Sequence, residues 1–193
     1  MAHSTTSGMR ASEITDLLDR VLEPDKVNFF GVFARDQLPT LTVQTRFPAC
    51  LVVNSAKSSE GGEHWLAVYF LDHFHCEYFD SYAFPYGFYG LTNYLSKFTI
   101  TASSDHQLQS IDSAVCGHYC IFYLFHRSRG IPMYRILRTF SLTDKNLNDK
   151  HILEIVKSNF IMYHSHQFHS NCACPNFSCL SRTMLLSKCI LLR

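Results

Sequence analysis

The sequence has few charged residues, and neither sign of charge is in clear excess. Charged residues make up 17% of the 193 positions, and 17 Lys and Arg against 16 Asp and Glu leave a formal net charge of +1. Nucleic-acid-binding domains are typically strongly basic, so a contact with DNA would need a local patch. The rest of the composition, 47% apolar, is typical of a soluble globular protein.

Long apolar runs and a secretory signal are also missing. Residues 1–10 are polar and lack the apolar core of a signal peptide. No apolar run reaches the roughly 18 residues that span a bilayer. We therefore expect an intracellular protein that is not secreted and has no membrane partner. The eight cysteines are then expected to be free thiols, because intracellular compartments are reducing.

No internal repeat and no linker rich in Pro, Gly or Ser divides the chain. We expect one domain over residues 11–180, a disordered segment at 1–10 and a C-terminal tail of uncertain structure at 181–193. Apolar patterning predicts strands at 49–54, 64–70 and 76–80 and helices at 12–22, 89–98, 116–129 and 146–160. In the last helix, the side chains expected to face inward are Leu147, Ile152, Ile155, Val156 and Phe160. This order of elements indicates an α+β fold.

Cys116 lies at the predicted start of the apolar helix at 116–129. A cysteine there is close to free backbone N–H groups and to the positive end of the helix dipole, which favour the thiolate. The same N–H groups can bind the oxyanion of a tetrahedral intermediate. The alternative is a small buried side chain without a chemical role, since free cysteines are common in protein cores.

His64 and Asp80 are expected at the same edge of the sheet. His64 opens one predicted strand, Asp80 closes the next, and a loop of hairpin length joins the two strands. A carboxylate there would orient the imidazole and leave its other nitrogen facing a thiol. The rival bases fit less well, because His73 and His75 lie in the hairpin loop and His118 follows the nucleophile too closely along its helix.

Gln109 lies seven residues before Cys116, in the polar segment that leads to the helix. A side-chain amide in this position can donate a second hydrogen bond to an oxyanion. Gln107 is a competitor two residues earlier, and a solvated side chain is the simpler role for either residue.

His64-Trp65 on one strand, an acid that ends the next, and Gln-x6-Cys-Gly at 109–117 occur in this order in a known family. The pattern resembles the adenovirus protease (adenain) family of cysteine endopeptidases, which is related to the SUMO- and ubiquitin-like-specific proteases. Further similar segments are Ala-Cys-x-x-Val-Asn at 49–54, Gly-Gly-x-His-Trp at 61–65 and, with Asp112 in place of Asn, Asn-Ser-Ala-x-Cys-Gly at 112–117. With weaker similarity at 30–36 and 159–179, the resemblance extends over most of residues 10–180.

The resemblance implies a fold and a set of roles. The fold would be a central mixed sheet packed by helices, with the nucleophile at the N-terminus of a buried central helix, a papain-like arrangement in altered chain order. Cys116 would be the nucleophile and His64 its base. Asp80 would orient the base, and Gln109 would belong to the oxyanion hole. Trp65 and Gly117 are then expected to contact the substrate.

The resemblance also implies substrates and partners. The enzyme would cut viral capsid and core precursor proteins after Gly in Gly-Gly or Gly-x-Gly sites and, if viral, would act in the virion and host nucleus. A monomer is the default expectation. Two features depart from the family. The acid is Asp80, where mammalian adenoviral enzymes carry Glu, and the segment from Ala102 to Gln109 lacks the cysteine that holds their peptide activator by a disulfide. The sequence requires no cofactor. A viral peptide or DNA could still activate the enzyme, but not through that disulfide.

Other readings compete with the protease assignment. A weak DNA contact would use a modest basic cluster, for which a solvated face is the simpler role: Arg127, Arg129, Arg135 and Arg138. The C-terminal segment is rich in zinc-binding residue types, but their spacing matches no common zinc site: His164, His166, His169, Cys172, Cys174 and Cys179. We therefore predict no metal site. The alternatives are a ubiquitin-like or SUMO-type deconjugating protease, an inactive protease-fold scaffold, and a zinc-binding interaction protein.

Overall fold

A mixed five-stranded sheet forms the centre of the molecule in the computed structural model, which describes residues 8–42 and 44–158. The strands lie side by side in chain order: β1 (Asn28–Ala34), β2 (Ala49–Asn54), β3 (Trp65–Phe70), β4 (His75–Phe79) and β5 (Thr99–Ser103). The outer pairs β1–β2 and β4–β5 are parallel, whereas β2–β3 and β3–β4 are antiparallel.

The described residues also form the helices α1 (Ala11–Val21), α2 (Thr92–Leu95), α3 (Cys116–Arg127), α4 (Met133–Leu137) and α5 (Lys145–Val156). Helices α1 and α3 contact the sheet, at β1 and β3. Helix α3 is the central one, because it contacts β3 as well as α1, α4 and α5 and most of its residues are buried. The α+β fold with a central mixed sheet is therefore confirmed, and Cys116 is the first residue of the buried central helix. In the described part of the chain, every helix is too short or too polar to cross a bilayer.

The two middle strands are buried along their whole length. All six residues of β2 are buried, as are all but the first residue of β3. Apolar runs of this kind are typical of strands covered on both faces. The packing holds the ends of β3 and β4 rigidly, and these ends carry the predicted site residues.

Two arginines of the predicted basic cluster have internal partners. Arg127 forms a bidentate salt bridge with the carboxylate of Glu77, with N···O distances of 2.7 and 3.2 Å. Arg129 pairs with Glu23 and donates to the carbonyl oxygen of Val21. The other two arginines of the cluster are exposed, so the basic surface is smaller than the sequence indicates.

The largest difference from the sequence prediction lies between β4 and α3. In place of one helix at 89–98, the chain forms a 3₁₀ turn at Tyr86–Tyr89, the short helix α2 and then the unpredicted edge strand β5. Gly90 has a φ of 71°, in the left-handed region that typically ends a helical turn. The prediction of a single helix is therefore wrong.

Helix α5 also differs in which side chains it buries. Ile152 and Val156 are buried as predicted and Ile155 is partly buried, but Leu147 is exposed. Several predictions fall outside the described residues. They concern the inward-facing Phe160, the Cys- and His-rich segment, the tail at 181–193 and most of the N-terminal segment predicted to be disordered. Residues 8–10 of that segment are described and make defined contacts.

Candidate active site

His64 and Asp80 lie side by side at one end of the sheet. His64 precedes β3 and Asp80 follows β4, and these strands are antiparallel neighbours. Nε2 of His64 is 2.6 Å from Oδ1 of Asp80. Both side chains are almost inaccessible, with 8% of His64 and 0% of Asp80 exposed. The structure thus brings together the two residues that the hairpin argument placed at this edge.

The carboxylate of Asp80 accepts a hydrogen bond from four donors: His64, the backbone N–H groups of Tyr82 and Phe84, and the hydroxyl of Tyr89. A carboxylate offers about four lone-pair positions, so every position of Asp80 is used. Two of the donors belong to the turn that directly follows Asp80. The local chain therefore fixes the orientation of the carboxylate, and the carboxylate fixes that of the imidazole.

Two tyrosines hold the ring of His64, and sequence reasoning did not identify them. The ring of Tyr82 stacks on the imidazole with centroids 4.7 Å apart and planes 25° apart, and Tyr89 does so at 5.5 Å and 27°. The available signal was the density of aromatic residues at 82–89, directly after the predicted acid. The stacking restricts rotation of the imidazole about its side-chain bonds.

Cys116 lies beside the same imidazole. Its side chain is within hydrogen-bonding reach of His64, and the residue is 7% exposed. Burial opposes the charged imidazole, but the hydrogen bonds to Asp80 and Cys116 outweigh it and raise the pKa of His64 to about 9. The raised pKa favours the protonated imidazole, a state that stabilises a neighbouring thiolate.

The start of α3 also presents unused hydrogen-bond donors. Val115 is the N-cap residue and its side chain makes no capping bond. The N–H groups of His118 and Tyr119 donate to the carbonyl of Val115. Among the described residues, the N–H groups of Cys116 and Gly117 have no acceptor. These two donors lie where an oxyanion would form next to the thiol.

The other described cysteines lack such surroundings. Cys120, one helical turn after Cys116, is completely buried, and burial raises its pKa well above the usual value. Burial also raises the pKa of Cys76 to about 12. The rival histidines have other contacts. His75 pairs with Asp72, and His73, which lies in the hairpin loop, packs on an aromatic ring. Among the described cysteines, Cys116 alone lies at the N-terminus of a helix beside an imidazole.

Gln109 lies near this site but is fully engaged. Its amide nitrogen donates to the carbonyl of Ser113 at 2.7 Å and to the hydroxyl of Tyr82 at 3.1 Å, and its amide oxygen accepts from Ser81 at 2.7 Å. The residue is 0% exposed. To serve an oxyanion, Gln109 has to exchange the longer bond, the one to Tyr82. The rival Gln107 donates instead to the backbone carbonyl of Gln109.

Trp65 and Gly117, the predicted substrate contacts, pack against each other and against the N-terminal segment. The indole N–H of Trp65 donates to the carbonyl of Met9 at 2.8 Å. A Cβ atom on Gly117 would lie 3.0 Å from Ile14, 3.2 Å from Met9 and 3.3 Å from Trp65. This close approach brings α1 and Trp65 onto the first turn of α3, so both residues have a packing role next to the nucleophile.

Replacing Gly117 by alanine is expected to destabilise the protein although alanine is the better helix former. The added methyl group would meet three neighbours at or below 3.3 Å, and overpacking of this kind typically costs about 1–3 kcal/mol. Gly61→Ala is the matched control, because a Cβ atom there meets nothing within 4 Å. Denaturant unfolding measures both; equal stability of Gly117→Ala and wild type would contradict the packing role.

The described residues contain no cluster of three or more His, Cys, Asp or Glu able to hold a metal ion. No protein-family model matches this chain, and no curated protein matches it. Its function is therefore inferred from the geometry above and from the sequence motifs.

Proposed function

We propose that this chain is a cysteine endopeptidase that cleaves polypeptide substrates after glycine. The observation that supports it most directly is the chain of contacts from Asp80 through His64 to Cys116. In it, a buried carboxylate holds Nε2 of the imidazole, and a thiol at the first residue of a helix interacts with the same ring. A nucleophile, a base and a residue that orients the base form the usual set for acyl transfer.

The proposed reaction follows from these contacts. The Cys116 thiolate attacks the carbonyl carbon of the scissile bond, and the oxyanion accepts hydrogen bonds from the N–H groups of Cys116 and Gly117 and from Gln109. The His64 imidazolium then gives its proton to the leaving amine, which leaves an acyl-enzyme. Neutral His64 takes a proton from the water that attacks the thioester. The tetrahedral intermediate then collapses, which releases the carboxylic acid product and restores the Cys116 thiolate beside the His64 imidazolium.

Glycine at the cleaved position is supported by the motifs and by the low exposure of the site. Cys116 and His64 are both buried, so a residue without a side chain reaches them with the least obstruction. The resemblance to adenain adds Gly-Gly and Gly-x-Gly sites and viral precursor proteins as the substrate class.

A peptide series tests this proposal. The purified chain is incubated with matched peptides that contain Gly-Gly, Gly-x-Gly or Ala-Ala at one position, and the fragments are identified by mass spectrometry. Cleavage after Gly with the Ala-Ala peptide intact supports the proposal. An unchanged Gly-Gly peptide, or equal cleavage of the Ala-Ala peptide, contradicts it.

The pH dependence of the reaction should reflect His64. Its pKa is raised from 6.5 to about 9, so the imidazolium that protonates the leaving amine persists through neutral pH. We expect kcat/KM to fall by about tenfold per pH unit as the pH rises through 9. The stability contributed by this proton is complete below about pH 6.5 and is lost as the pH rises through 9. A pH–rate profile with a falling limb near 6.5 would contradict the raised pKa.

A further inference from the structure

The loop that carries Gln109 is held from outside the active site by helix α5. Asn148 Nδ2 donates to the carbonyl of Leu108 at 3.0 Å, and Oδ2 of Asp149 accepts from the N–H of Ser110 at 3.1 Å. Two consecutive residues of α5 thus form hydrogen bonds with the residues on either side of Gln109. Both are buried.

Asp149 also contacts the helix of the nucleophile. Its Oδ1 accepts a hydrogen bond of 3.0 Å from the hydroxyl of Tyr119, which lies in the first turn of α3 three residues after Cys116. The hydroxyl of Tyr119 is also 3.3 Å from the carbonyl of Leu108. One carboxylate therefore joins the Gln109 loop to the first turn of α3.

We propose that Asp149 is a positioning residue that holds Gln109 in register with the backbone N–H groups of Cys116 and Gly117. This inference rests on the proposed function. An oxyanion hole acts when its donors are fixed in place before charge develops. Here one donor, the amide of Gln109 that exchanges its bond to Tyr82, lies on a loop, and two lie on a helix. The two oxygens of Asp149 bond to both elements.

The polar contacts of Asp149 explain its burial. Burial raises the pKa of Asp149, against the hydrogen bonds from Ser113, Tyr119 and Ser110 that lower it. A buried carboxylate destabilises the folded state unless it is well hydrogen-bonded. Both oxygens of Asp149 accept hydrogen bonds, which offsets this cost. Among the described residues, Asp149 forms no hydrogen bond or ion pair with His64, Asp80 or Cys116.

The test compares Asp149→Ala with Asp149→Asn. Alanine removes both acceptors and should lower kcat by about 10- to 100-fold, less than the roughly 10²–10³ that complete loss of an oxyanion donor costs. Asparagine should restore most of the rate, because its oxygen can accept from Ser110 while its NH₂ donates to the hydroxyl of Tyr119. KM should change little in either variant. Alkylation of Cys116 should remain within about twofold of wild type, because it needs no oxyanion hole.

Tyr119→Phe and Tyr123→Phe form a second, matched pair. Both tyrosines are buried on α3 and donate to a buried carboxylate, Asp149 at 3.0 Å and Glu77 at 2.7 Å. The comparison remains informative if Asp149→Ala does not fold. Tyr119→Phe should lower kcat several-fold, whereas Tyr123→Phe should affect stability and leave kcat within about twofold.

A double-mutant cycle distinguishes positioning from general damage. If Asp149 acts through Gln109, Asp149→Ala should cost almost nothing further in kcat in a Gln109→Ala background. Additive losses would overturn the proposal, as would wild-type kcat in Asp149→Ala or a loss of Cys116 alkylation parallel to the loss of kcat. If the wild-type chain cleaves no peptide, the proposed function and this inference are both wrong. If the wild type is active and the Asp149→Ala variant is equally active, this inference alone is wrong.

Discussion

Cys116→Ala is expected to abolish peptide cleavage, with a loss of about 10⁴-fold or more in kcat. The reason is that no other described thiol has an imidazole partner or lies at a free helix N-terminus. The fold should persist, because the residue is at the edge of the core and the substitution only removes a sulfur atom. The measurement is cleavage of a Gly-Gly peptide, with circular dichroism to confirm the fold.

Cys120→Ala is the control for that experiment. Cys120 lies one turn further along α3, is completely buried and has its pKa raised by burial, so its thiol is inert at neutral pH. Activity of Cys120→Ala should stay within a few-fold of wild type. Residual cleavage by Cys116→Ala, or an inactive Cys120→Ala that remains folded, would mean that the nucleophile has been assigned to the wrong residue.

Asp80→Asn is expected to lower kcat by about 10²–10⁴-fold. Asp80 accepts four hydrogen bonds, whereas an asparagine side chain must turn its NH₂ group toward some of the same donors. The imidazole of His64 then loses its orientation and the hydrogen bond that raises its pKa. The falling limb of the pH–rate profile should accordingly move from about 9 toward lower pH.

Asp72→Asn provides the matched control for Asp80→Asn. Asp72 also pairs with a histidine, His75 at 2.9 Å, but it lies in the exposed hairpin loop between β3 and β4. This substitution should leave kcat unchanged. Equal activity of Asp80→Asn and Asp72→Asn would show that the buried carboxylate does not support the base.

Much of the site could be predicted because it depends on local chain geometry. A hairpin of two buried strands places the residue before β3 beside the residue after β4, so the sequence order alone brings His64 to Asp80. The apolar run after Cys116, ended by Gly130 and Pro132, similarly predicts a helix with the cysteine at its start. These inferences need only strand period, loop length and helix capping.

The contacts that depend on tertiary structure could not be predicted in this way. The spacing of apolar residues at 89–98 favours a helix, but Tyr89 bonds to Asp80 and Gly90 takes a left-handed conformation. In α5, helical periodicity turns Leu147 inward, yet the structure buries its two polar neighbours. Asn148 and Asp149 are buried because the loop at 108–113 has backbone groups that need partners, and only the assembled fold brings those groups to α5.

Thiol alkylation tests the activated pair of Cys116 and His64 most directly. Wild type and His64→Ala are treated with a mild alkylating agent near neutral pH, and the labelling rate at each cysteine is followed by mass spectrometry. We expect Cys116 of the wild type to react faster than every other cysteine and to lose that advantage in His64→Ala. Equal rates at Cys116 in the two proteins, or slow and uniform labelling of all cysteines in the wild type, would contradict the account.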